Sequence, residues 1–215
     1  MRALSTVLLL LATGTAGAQF PRRPARWDPP AWWVSADLGK TRAASLSDRA
    51  SNALWQMEEA RPWRVGVARG TRDKSFGVTY ARASVPLMIN GPVACAGCFA
   101  TVTSQLALVT FHAESALGTS SFTTLTELSA GVARWSGLHG RRGDHVSTLP
   151  ANNDLAWGVA IGLGLPLGTS VESFVMMDIL QVSHEARSTT GGPRVTASTG
   201  FSTVHYGLRL RLGRT

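Results

Sequence analysis

Between residues 157 and 165 every second side chain is large and apolar: Trp157, Val159, Ile161, Leu163 and Leu165. The four between them are Gly158, Ala160, Gly162 and Gly164. A helix would scatter the large residues around its circumference, whereas a strand sets all five on one face. The opposite Gly/Ala face makes a poor solvated surface but suits a crowded interior, so the apolar face is the one that looks outward. Strands with apolar outward faces need lipid there. Without hydrophobic helices, such a chain must satisfy its backbone polar groups by closing a sheet on itself.

The alternation recurs along the chain as eight strands, near residues 32–39, 63–69, 75–85, 101–113, 122–135, 157–165, 171–182 and 201–212. Trp32, Val34, Ala36 and Leu38 share one face of the first, opposite Ser35 and Asp37. Val204, Tyr206, Leu208, Leu210 and Leu212 share one face of the last, opposite His205, Gly207, Arg209 and Arg211. The pattern slips at Arg82, which predicts a bulge there. Tight turns at 70–73, 116–118 and 166–169 alternate with long polar connections at 40–62, 86–99, 136–153 and 183–200. One tight rim and one loop-rich rim mark an all-β, eight-stranded antiparallel up-and-down transmembrane β-barrel, with short periplasmic turns and long extracellular loops. Several strands approach the length of about 10 residues that a tilted strand needs to cross a bilayer.

Met1-Arg2, the apolar run Val7 to Leu11 and Ala16-Gly17-Ala18 predict a cleaved export signal over 1–18. A Pro-rich periplasmic lead-in over 19–31 and the barrel over 32–215 follow. The mature segment holds 20 basic residues, Arg2 being the one removed, against 13 acidic ones. An exported chain seldom meets nucleic acid, so outer-membrane lipid and lipopolysaccharide are the expected partners for this positive balance. Arg42, Arg49, Arg141, Arg142, Arg187 and Arg194 fall in the long connections.

Chemistry-bearing residues are of three kinds. Asp37, Arg64, Glu127, Glu172, Asp178, His205, Arg209 and Arg211 lie on inward faces and predict a lumen charge network. Asp37 meets Arg64, and Glu172 meets Arg209 and Arg211, at matching depth, because a buried ion without a partner costs several kcal/mol. Trp63, Trp135 and Trp157 stand at the long-loop ends of their strands and predict an aromatic girdle. Cys95 and Cys98, the only cysteines, are a candidate disulfide in an oxidising compartment. Redox chemistry would need the pair to open a helix, and zinc would need two further ligands. No metal, cofactor or catalytic residue is therefore assigned. Ser183-His184-Glu185 contains hydrolase residue types, but neighbours on a strand point to opposite faces. His112 and Glu114 share a face near the periplasmic end. Arg142-Gly143-Asp144 signals only an exposed turn.

In strand rhythm over residues 32–212 the chain resembles the small eight-stranded bacterial outer-membrane β-barrels, the group that includes the transmembrane domain of the OmpA-like proteins. The resemblance implies recognition by the barrel-assembly machinery, which reads a terminal aromatic residue in that group. Here the end is Leu210-Arg211-Leu212-Gly213-Arg214-Thr215, with Tyr206 as the nearest aromatic. The expected function is a non-enzymatic outer-membrane barrel with a side-chain-filled lumen, acting in envelope structure or surface interaction through its loops. A lipid-modifying outer-membrane hydrolase is one alternative. A soluble lipocalin-like ligand-binding barrel is another, and it would turn the apolar face inward.

Overall fold

A computed structural model describes residues 30–48, 53–91, 95–117, 121–140, 152–186 and 195–212. The export signal, nearly all of the lead-in, and Arg49, Arg141, Arg142, Arg187 and Arg194 lie outside the described residues. Ten strands form one antiparallel sheet: β1 Ala31–Thr41, β2 Ala44–Asp48, β3 Ala53–Met57, β4 Trp63–Gly70, β5 Lys74–Gly91, β6 Cys95–Ala116, β7 Thr123–Gly140, β8 Asn152–Pro166, β9 Val171–Ala186 and β10 Val195–Leu212. Eight of them close a ring in the order β5-β4-β1-β10-β9-β8-β7-β6, with β6 returning to β5. From Trp63, hydrogen-bonded partners lead one way through Arg82, Gln105 and Arg134 to Asn153 on β8. The other way they lead through Leu38, Tyr206 and Val175 to Leu163 on the same strand. The ring thus closes with a stagger of ten residues, which is what tilts its strands.

The expected faces hold. Trp32, Leu38, Val78, Leu128, Ile161, Leu163, Val175, Tyr206 and Leu208 are each about half exposed on the outer wall, while Asp37, Arg64, Glu127, Glu172, His205 and Arg209 are buried inside. This is the opposite of a lipocalin-like arrangement. Apolar side chains look outward because the surrounding solvent is hydrocarbon.

Beyond the membrane the walls run further than alternation suggested. The stretch 40–62 is not simply a loop. It holds β2 and β3, which pair with each other, and β3 continues onto β5 through Leu54↔Asn90 to Met57↔Leu87. Likewise β5 and β6 stay paired out to Gly91↔Cys95, through the region expected as a loop. Outside the bilayer neither face must be apolar, so the period-two signal disappears although the backbone ladder persists. Pro86 sits where β4 has ended and β3 begins, and its carbonyl accepts from the Glu58 amide at 2.8 Å. No bulge occurs at Arg82, which pairs in register with both Trp63 and Gln105. The bulge on β7 lies instead where Thr101↔His139 gives way to Thr103↔Ser136. Gly137, at φ 63°, takes up the extra residue there and brings Leu138 back into the interior at 5% exposure.

Candidate functional site

Inside the ring the side chains sort by height into three layers: a cluster around Arg209, an ion network around Arg64 and an apolar cluster. Lowest, toward the tight turns, is Arg209. Its Nη2 donates to Ser75 Oγ at 2.8 Å, and its Nη1 stands 3.8 Å from carboxylate oxygens of both Glu114 and Glu172. The guanidinium lies 4.2 Å from the centre of the inward-facing Trp33 ring, a cation–π contact. Thr123 donates to Glu172 at 3.1 Å and Arg72 to Glu114 at 3.1 Å. Arg211 keeps the outer edge of this layer, 5.8 Å from the Trp33 ring.

Gly164 makes room for the pair of Glu172 and Thr123. A β-carbon there would collide with Glu172 Oε1 and Thr123 Oγ1. Gly164→Ala should therefore destabilise the barrel by about 1–3 kcal/mol, the usual cost of overpacking, read from the urea unfolding midpoint in lipid vesicles. An unchanged midpoint would mean this layer repacks freely.

The middle layer is a continuous ion network. Arg64 on β4 donates through Nε to Asp37 Oδ2 on β1, its register partner, and through Nη1 to Glu127 Oε1 on β7, both at 2.8 Å. Strands β4 and β7 are not neighbours in the ring, so the second bond is a strut across the lumen. His205 on β10 stands between two carboxylates, with Nδ1 2.9 Å from Asp37 Oδ1 and Nε2 2.8 Å from Asp178 Oδ2 on β9. His112 lies beneath, 4.0 Å from Glu127. The Asp37 side chain is fully buried, and those of Arg64 and Glu127 are 8% and 11% exposed. Charges so far from water hold only because each carboxylate faces a donor.

Above the network the lumen turns apolar. Leu87, Ile89, Ala100, Val102, Leu138, Val182 and Phe201 form a buried cluster with Trp135 packed against it. Two cavities separate the layers. One, of about 40 Å³, is bounded by Arg64, His112 and Glu127 above and by Trp33, Ser75 and Arg209 below. The other, of about 70 Å³, lies between the network and the apolar cluster.

All eight inward charges named from the sequence thus occur in or beside two tiers. His112 and Glu114 belong with them, and so do Ser75, Thr123 and Trp33, which sequence reasoning left out. Parity would have found the first two: Val109 and Phe111 look outward, so His112 and Glu114 must look inward. The aromatic girdle needs one correction. Trp63 and Trp157 are exposed at 41% and 44%. Trp157 falls near the midpoint of the interval between Asn153 and Leu163 that Trp63 spans around the ring, so the two share a height. Trp135, however, follows Glu127, Ser129, Gly131 and Ala133 on the inward parity and packs 5.9 Å from Phe201 inside the lumen. Height along a strand does not decide its face. Trp32 is a further exposed tryptophan, at the other end of the wall with Arg69 stacked 5.5 Å from its ring.

Cys98 is disulfide-bonded, and the side chain of Cys95 lies outside the described residues. Ser183 pairs with Leu155 and Ser198 on the extracellular wall, while the side chains of His184 and Glu185 lie outside the described residues.

No protein-family model matches the chain, and no curated protein sequence matches it. Solved structures do. Neisserial surface protein A aligns with a TM-score of 0.56 at 14% identity, over 84% of this chain and 97% of that one. The outer membrane protein OprG from Pseudomonas aeruginosa aligns with a TM-score of 0.53 at 8% identity, over 87% and 98%. At such identities the likeness is one of fold, and the fold is that of the small eight-stranded bacterial outer-membrane β-barrels, in keeping with the outward apolar belt of this chain.

Proposed function

We propose that this barrel is a non-enzymatic envelope protein, held shut across its middle and carrying its walls outward as a surface for lipopolysaccharide and other envelope partners. The observation behind this reading is the middle ion layer, which ties β1, β4, β7, β9 and β10 together at one height. An eight-stranded barrel has room for side chains but not for a water channel beside them. The charges act as a staple. At the extracellular rim Arg82 and Arg134 are exposed on the outer wall, both register partners of Gln105, and Arg82 is also the partner of Trp63. Two guanidiniums and an indole at the headgroup level suit the phosphates and acyl chains of lipopolysaccharide.

Purified barrel in planar bilayers should show no conductance steps, and it should stay folded, with altered mobility, on unheated SDS gels. Its thermal midpoint should be higher in vesicles containing lipopolysaccharide than in phosphatidylcholine alone, and the double variant Arg82→Glu, Arg134→Glu should lose that increment. Steady conductance would overturn the closed lumen. An increment that survives the double variant would overturn the lipopolysaccharide contact. Hydrolysis products in the vesicle lipids, seen by mass spectrometry, would replace this reading with an enzymatic one.

A further inference from the structure

The cavity above the ion layer is walled by Ala60, Ala81, Ala83, Leu106, Leu180 and Phe201, and floored by Arg64, Glu127, Asp178 and His205. It exists because alanines face inward at this height where a larger residue would fill the lumen. Its volume of about 70 Å³ is several times the roughly 10–15 Å³ one water requires, and its lining is mostly apolar, with the hydroxyls of Thr41, Ser104, Ser129 and Thr203 among the alanine, leucine and aromatic side chains. Its lining includes the exposed Arg42 and Glu58 at the two strand breaks, so it reaches solvent on the extracellular side.

The floor is not electrically balanced. Three carboxylates, Asp37, Glu127 and Asp178, meet one arginine, and counting His205 as a cation still leaves one negative charge in excess. Among the described residues, Asp178 Oδ2 is bonded to His205 but Oδ1 is buried without a hydrogen-bond partner. The Asp178 side chain is 21% exposed and lines the chamber, so a donor brought in from outside can approach its carboxylate there.

We propose that this cavity binds a small apolar amine: a single ring or short hydrocarbon among the alanines, Leu180 and Phe201, with its ammonium group on Asp178. The site is independent of whether the lumen conducts and of lipopolysaccharide contact at the outer rim.

The test uses the full barrel in lipid nanodiscs, titrated by saturation-transfer NMR with benzylamine, toluene and benzoate, against empty nanodiscs. Benzylamine should bind saturably, toluene about tenfold more weakly for want of a charged hydrogen bond, and benzoate not at all. Asp178→Asn should weaken benzylamine about tenfold while leaving toluene unchanged. Ala160, on β8, also lines the cavity; Ala160→Leu and, on β5, Ala81→Leu should each abolish saturable binding of both, and gel mobility of the unheated samples identifies which variants have folded. Benzylamine binding no better than toluene, binding unaffected by Asp178→Asn, or binding retained in either folded leucine variant would each overturn the proposal.

Discussion

Arg64→Ala should lower the stability of the folded barrel by about 3–5 kcal/mol, the cost of stripping one partner from buried ions. Arg64 donates to Asp37 and to Glu127 at 2.8 Å, and these side chains are 0% and 11% exposed, so Asp37 cannot turn to water and Glu127 faces only the lumen. Removing the guanidinium leaves two negative charges facing one another, with His205 still answering Asp37 but with nothing to span from β1 to β7. The measurement is the urea midpoint in lipid vesicles followed by tryptophan fluorescence. Arg64→Met combined with Asp37→Asn and Glu127→Gln should recover most of the loss, because a neutral layer of similar volume carries no unpaired charge. A single variant within about 1 kcal/mol of the parent, a size typical of surface pairs, would show that the layer does not staple the lumen.

The second large effect comes from the outer wall. Ile161 is 51% exposed and stands four residues inward of Trp157 on β8, about 10 Å below the tryptophan level in a belt about 25 Å tall. Ile161→Arg therefore places a charge near the middle of the hydrocarbon and should cost about 2–4 kcal/mol, measured by the same unfolding midpoint. Leu155→Arg, at an exposed position beyond Trp157 on the same strand and face, should cost about 1 kcal/mol or less, as charges near the interface do. Equal costs at both positions would contradict the placement of the bilayer. In a water-soluble barrel both changes would be nearly neutral.

Most of the fold was legible because lipid outside and packed side chains inside impose opposite demands on alternate residues. That contrast marks the strands crossing the bilayer, from Trp32 to Leu38 and from Trp157 to Leu165. It fades where water lies on both sides, so β2, β3 and the outer ends of β5 and β6 carry no strand signal in the sequence. Trp135 stands at the outer rim, but height does not set the face, and the parity it shares with Glu127 and Gly131 points it inward. The bulge at Gly137 was hidden because a glycine in a polar connection signals many backbone shapes, and only its pairing shows which one it adopts.

The sequence by itself determined the wall: which residues meet lipid, which face the lumen, and that charges of opposite sign enter the lumen together. Those follow from period two and burial cost, both local properties of a strand. Only the tertiary structure decided what the lumen contains. Arg64 reaches Glu127 because ring closure with a stagger of ten residues brings β4 and β7, three strands apart, to one height across the lumen. The same stagger sets Asp178 beneath a chamber whose alanines come from β5, β8 and the connection between β3 and β4. Closure and shear are properties of the whole ring, and no segment of the chain carries them alone.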